Sequence, residues 1–122
     1  MTAVAHIAAP ISSALADPGP VLATAVRSTT YLLDSCMSAA GPQLESFILM
    51  SSAAAMIPKE PQSRPITESV WEDWAEEELD ALGRQASASS IYVASKTASE
   101  RSMWLFHNER QPRFAMTSIN PG

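Results

Sequence analysis

A tyrosine and a lysine four residues apart, Tyr92 and Lys96, are the residues of this chain whose types and spacing could do chemistry. Four residues are about one helical turn, so on a helix the two side chains share a face. An ammonium beside a phenol favours the phenolate. A free tyrosine titrates near about 10, too high for proton transfer at neutral pH. General acid–base work is most efficient when the pKa approaches the operating pH. A Tyr-x-x-x-Lys pair is therefore a means of moving a proton to or from a substrate oxygen. A solvated helix face can carry the same two residues idly, so the elements that position them decide.

Those elements alternate between short apolar runs and longer helical stretches. Residues 3–8 (AVAHIA) read as a strand buried on both faces, stopped by Pro10. Residues 10–20 read as loop, marked by Pro18-Gly19-Pro20. Apolar residues from Val21 to about Ala39 recur at helical spacing, and Gly41-Pro42 ends that helix. Residues 46–50 (SFILM) form a second strand leading into Ser51-Ser52. Pro58, Pro61 and Pro65 keep the next passage out of a helix. A helix is expected over 68–82, with Ser69 and Glu72 spaced as a capping box and a run of carboxylates forming a solvated face. Residues 83–90 read as a flexible connection. A long helix over 91–110 carries Tyr92 and Lys96 and stops before Pro112, and residues 114–119 (FAMTSI) form a third strand.

Composition narrows the functions open to such a chain. With 122 residues it is one domain by size, 1–122. Its net charge of −5 and singly scattered basic residues argue against nucleic acid as a partner, because that affinity rests on clustered Lys and Arg. Cys36 is the only cysteine, and His6 and His107 lack ligand spacing, so neither a disulfide nor a metal site is expected. A single free thiol fits a reducing, cytoplasmic setting. No apolar run approaches the length of about 18 residues that a membrane span needs. Residues 1–16 end in an Ala-x-Ala-like pattern but have no Lys or Arg before the apolar part. A strand followed by a loop describes them better than a secretory signal.

Strand, helix, strand, helix, strand is the order of an α/β parallel sheet with crossover helices. In such sheets chemistry sits outside the carboxyl ends of the strands. Ala8-Ala9-Pro10, Ser51-Ser52 and Asn120-Pro121-Gly122 fall at those ends, and the Tyr92–Lys96 helix begins at the same edge. A hydroxyl, a phenol and an ammonium thus converge on one crevice.

Six segments together resemble the extended short-chain dehydrogenase/reductase family, most closely its dihydroflavonol-reductase-like and fungal ketoreductase-like branch. They are VAHIAAP at 4–10, AVRSTTYLLDSC at 25–36, FILMSSAAA at 47–55, PITESVWEDW at 65–74, IYVASKTASE at 91–100 and FAMTSINPG at 114–122. The resemblance implies a Rossmann-type sheet and reduction of a small-molecule carbonyl with NADP or NAD, NADP being slightly preferred. By position, Ser52 matches the family's catalytic serine, Tyr92 its proton donor, and Lys96 the lysine that tunes the tyrosine and holds the nicotinamide ribose. Ala9, Pro10, Ser51 and Pro121 match positions that line the cofactor, mostly through backbone. His6 reads as a satisfied buried histidine.

The family's Gly-x-x-Gly-x-x-Gly turn, which holds the cofactor pyrophosphate at a helix amino terminus, has no match here. The four glycines are Gly19, Gly41, Gly83 and Gly122. The expectation is a partial Rossmann unit of about three strands, incomplete at both ends and open to self-association through its sheet edges. The isolated chain is expected to be inactive. The competing readings are a non-catalytic remnant or interaction protein presenting the acidic segment 68–80, and, within the family, part of a sugar epimerase or dehydratase.

Overall fold

The computed structural model describes residues 1–9, 17–67 and 69–122. In chain order the elements are β1 (Ala3–His6), α1 (Pro18–Ala39), β2 (Ser46–Met50), a 3-10 turn at Ala53–Ala55, α2 (Trp74–Leu82), a second 3-10 turn at Gly83–Gln85, α3 (Ala88–Arg110) and β3 (Ala115–Ile119). The strands form one parallel sheet in the order β1-β2-β3. Val4 lies opposite Phe47, and Phe47 opposite Met116. The expected α/β parallel sheet is the observed one.

Period-two alternation in the strands meets period-3.6 stripes on two helices. Phe47 and Leu49 of β2 and Met116 of β3 bury their side chains against Leu33, Cys36 and Ala40 of α1 and against Met103 and Phe106 of α3. Both long helices therefore lie on the same side of the sheet. Alternate residues on its other side, such as Ala5, Ala115 and Thr117, are exposed. The expectation that β1 is buried on both faces is corrected accordingly: among the described residues, one face alone is covered. β1 also ends at His6, and Ile7 and Ala8 are exposed.

Helix boundaries follow local chemistry that the apolar pattern does not reveal. α1 starts three residues earlier than expected, because Asp17 caps it by accepting from the Gly19 N–H. Pro18 occupies the first turn, where its missing N–H costs nothing. Gly41, at φ 75°, ends α1 in the left-handed region that a glycine adopts without strain. The Ser69–Glu72 capping box does not form. α2 begins at Trp74 instead, after the Glu72 N–H has been taken by the Ala55 carbonyl at 3.0 Å and the Glu72 carboxylate by Arg64. Residue 68, the expected helix start, lies outside the described residues. The connection 83–90 holds a 3-10 turn and the first residues of α3, whose cap is Ser87, accepting from the Ser90 N–H.

α1 and α3 approach closely because the facing residues are small. Thr29 and Ser99 share a hydrogen bond of 2.7 Å across that contact. A second cluster, formed by Ala75, Leu79, Ala86, Ile91, Val93 and Ala94, packs α2 under the start of α3. The acidic run is paired as well as solvated. Arg101 of α3 holds Asp73 and Glu76, and Lys59 holds Glu78 at 2.9 Å. Among the described residues no helix is long and apolar enough to cross a membrane, and no group of His, Cys, Asp and Glu could hold a metal ion.

Candidate active site at the strand ends

Lys96 is the residue through which the site is built. It lies on the first half of α3, is 7% exposed, and donates from Nζ to the carbonyl of Met50, the last residue of β2, at 3.1 Å. One of its three N–H donors is thereby taken. Burial lowers its pKa from the ordinary lysine value. Its Nζ stands 5.8 Å from the centre of the Tyr92 ring. The predicted one-turn pairing of phenol and ammonium is thus formed, with Tyr92 half-buried and packed against the cluster under α2.

Two residues beyond Met50, Ser52 caps the first 3-10 turn. Its Oγ accepts from the Ala54 N–H at 3.2 Å, so an oxygen lone pair is used and the O–H proton has no partner among the described residues. Ala54 packs on the same cluster as Tyr92, which carries the Ser52 turn to the start of α3. Ser51 is buried and its hydroxyl is committed to Glu100 at 2.6 Å. Its hydroxyl proton is therefore spent, as is its backbone N–H, which the Ile119 carbonyl accepts at 2.8 Å. The Pro121 carbonyl accepts from the Ala53 N–H at 2.9 Å, so the end of β3 and the Ser52 turn are one unit.

Ala9 is half-buried and, with Ala8, Ser28, Ser95, Lys96 and Ser99, walls a small cavity of about 10 Å³. This is about the room one water needs. Pro10 lies outside the described residues. His6 is buried beside this cavity, 3.4 Å from the Ser28 hydroxyl. Burial, and after it the charge of Lys96, lower its pKa from the ordinary histidine value.

Two further residues, Glu100 and Asn120, tie this edge together. Glu100 is 3% exposed and also accepts from Asn120 Nδ2 at 2.9 Å. The same Asn120 nitrogen donates to the Ser52 carbonyl at 3.1 Å. A pattern signal for Glu100 did exist. It stands one turn beyond Lys96, an acid on a helix face that also carries Val93, Thr97 and Met103.

No family model matches the chain. An uncharacterized oxidoreductase of Saccharomyces cerevisiae is 32% identical over 124 residues, covering 98% of this chain and 34% of that protein. Aldehyde reductase 2 of Sporidiobolus salmonicolor is 31% identical over 127 residues, covering 97% of this chain and 35% of its own. Among solved structures, the yeast methylglyoxal/isovaleraldehyde reductase Gre2 in complex with NADPH matches with a TM-score of 0.82 at 26% identity, over 99% of this chain and 36% of that one. Gre2 of Candida albicans, also with NADPH, matches with a TM-score of 0.83 at 25% identity, over 98% and 35%. The chain spans about a third of the length of these relatives.

Proposed function

Because this chain is a relative, over nearly its whole length, of short-chain dehydrogenase/reductase family reductases, we propose that it carries the proton-transfer half of an NAD(P)H-dependent carbonyl reductase site. The observation that carries the reading is the Lys96–Tyr92 pair on α3, anchored to the carboxyl end of β2 beside Ser52. The substrate is a small carbonyl compound; the relatives' names give aldehydes, methylglyoxal and isovaleraldehyde for those proteins.

Each side chain has a task that its surroundings allow. Ser52 donates its unpartnered O–H to the substrate carbonyl oxygen and orients it. Tyr92 gives its phenolic proton to that oxygen as negative charge develops there. The Lys96 ammonium supports the phenolate left behind. Lys96 also borders the small-residue cavity beside Ala8 and Ala9, and its two remaining N–H donors would be available to a ribose hydroxyl. These residues fit the nicotinamide ribose end of a cofactor through a buried donor with hydrogen-bonding capacity left, set beside small side chains. The chemistry that NADPH or NADH would supply here, when bound, is the hydride for the carbonyl carbon. The backbones of Ala9, Ser51 and Pro121 would line this end of its site. The setting is a reducing, cytoplasmic one, supported by the single buried thiol of Cys36.

The test places residues 1–122 between the amino-terminal dinucleotide-binding segment and the carboxyl-terminal segment of a related reductase. Turnover of an aldehyde is then followed through NADPH absorbance. Tyr92→Phe keeps the ring and removes the proton, so kcat falls by about 10²–10⁴-fold. Ser52→Ala lowers kcat and leaves NADPH affinity nearly unchanged. Glu76→Gln, in the acidic helix α2 where Arg101 rather than the Tyr92–Lys96 pair holds the side chain, changes little. Near-full activity in Tyr92→Phe, or abolished activity in Glu76→Gln, overturns the assignment.

A further inference from the structure

The carboxylate of Glu100 has no task in this chemistry, yet it is buried, and among the described residues no Lys, Arg or His pairs with it. Sinking a carboxylate without a cation costs desolvation, and a well-packed apolar residue in its place would cost less. What it receives instead is two hydrogen bonds on a single oxygen, Oε2. The Ser51 hydroxyl donates at 2.6 Å and Asn120 Nδ2 at 2.9 Å. The second proton of Asn120 Nδ2 goes to the Ser52 carbonyl at 3.1 Å. Asn120 Oδ1 accepts from the Ser118 hydroxyl at 3.0 Å, which fixes which way the amide points. Every polar atom of the Asn120 side chain is therefore used.

These bonds join three segments far apart in the chain: the loop after β2, the loop after β3, and α3. Ser51 and Glu100 are 49 residues apart, and Ser52 and Asn120 are 68 apart. Two backbone bonds run parallel to them, from the Ser51 N–H to the Ile119 carbonyl at 2.8 Å and from the Ala53 N–H to the Pro121 carbonyl at 2.9 Å. Glu100 sits on the helix that carries Tyr92 and Lys96, roughly 12 Å along the axis from Tyr92 at the ordinary helical rise. A helix is stiff over two turns, so whatever Glu100 holds keeps a fixed relation to Tyr92.

We propose that Glu100 is a positioning residue: its carboxylate clamps the Ser51-Ser52 and Asn120-Pro121 loops to α3 and so sets where Ser52 stands relative to Tyr92 and Lys96. The functional meaning of the clamp rests on the site assignment above, whereas the clamp itself can be tested without substrate or cofactor. Glu100 acts through oxygen acceptance rather than through its charge, because its two partners are a hydroxyl and an amide.

Amide hydrogen exchange of the ¹⁵N-labelled 122-residue chain, read by NMR, supplies the test. In Glu100→Ala, the Ser51 and Ala53 amides exchange about tenfold faster, as expected for the loss of a buried hydrogen-bonded support. The Asn120 side-chain NH₂ pair moves toward the shifts of a free amide. The Glu45 amide, bonded to the Thr2 carbonyl at 2.7 Å at the opposite end of the sheet, changes less than about twofold. Glu100→Gln restores both the protection and the shifts, since a carboxamide oxygen accepts the same two bonds. Should Glu100→Ala not fold, Glu100→Asp, whose shorter side chain withdraws the acceptor, gives the same local acceleration. Equal acceleration at Glu45, no acceleration at Ser51 and Ala53, or a Glu100→Gln chain exchanging faster at those two sites than wild type overturns the proposal. Such a failure leaves the proton-donor role of Tyr92 standing, and a fully active Tyr92→Phe leaves the clamp standing.

Discussion

Lys96 and Met50 are joined across the edge of the sheet: the ammonium of one, on α3, donates to the last carbonyl of β2 at 3.1 Å. This bond turns a helical motif into part of a strand-end site. It holds a charge that burial disfavours next to Tyr92 and two residues from Ser52. Such a placement is what the proposed role of Lys96 asks for.

The cost should be visible as a pH dependence. Because folding lowers the Lys96 pKa below 10.5, the unfolded chain binds the proton more tightly between the two values, and stability rises with pH in that window. Comparing wild type with Lys96→Met by urea unfolding at several pH values isolates the effect. The lost bond to the Met50 carbonyl contributes a constant offset. Relative to the variant, wild type should gain stability as pH climbs toward 10.5. A difference that stays flat, or moves the other way, contradicts the burial argument.

His6 should give a second slope at acid pH. Burial, then the Lys96 charge, lower its pKa from 6.5, so the unfolded state takes up the proton first. Stability should be fully retained above 6.5 and fall as pH drops through the lowered value. Thermal melts of wild type and His6→Gln between pH 5 and 7.5 test this, and the variant should lose less on acidification. If both chains fell in parallel, His6 would not be the group responsible.

Phe47 should dominate the core energetics. It is fully buried, faces the tilted ring of Phe114 at 6.5 Å between centroids, and touches both long helices through their shared cluster. Phe47→Ala should cost about 3–5 kcal/mol and Phe47→Leu considerably less. Chemical denaturation reads the difference directly. A cost below about 1 kcal/mol for Phe47→Ala would show that this cluster is not the core.

The isolated 122-residue chain should self-associate. Among the described residues, β1 and β3 are the outer strands of the sheet, and one sheet face is uncovered. Unpaired strand edges beside apolar surface recruit further chains. Sedimentation velocity should show species larger than a monomer, increasing with concentration. A monomer with a sharp cooperative melt at every concentration would count against the prediction.

The sequence by itself determined the elements, their order and the chemical pair. Periodicity is a local property, so β2 could be read at 46–50 and the long helix carrying Tyr92 and Lys96 at nearly its observed span. A spacing of four residues on that helix was enough to place phenol and ammonium together. The resemblance then supplied roles for Ser52, Tyr92 and Lys96, which geometry alone does not assign. Local pattern failed where a tertiary contact outbid it. The Ser69–Glu72 box was lost because the Glu72 backbone and side chain found partners at Ala55 and Arg64. It also could not show that both long helices cover one face of the sheet, since an apolar run reads alike whether one side or two are buried. Least legible was the joining of Glu100, Ser51 and Asn120. Their spacing along the chain carries no information about contact, and their hydrogen bonds exist only once the sheet has brought the ends of β2 and β3 side by side beneath α3.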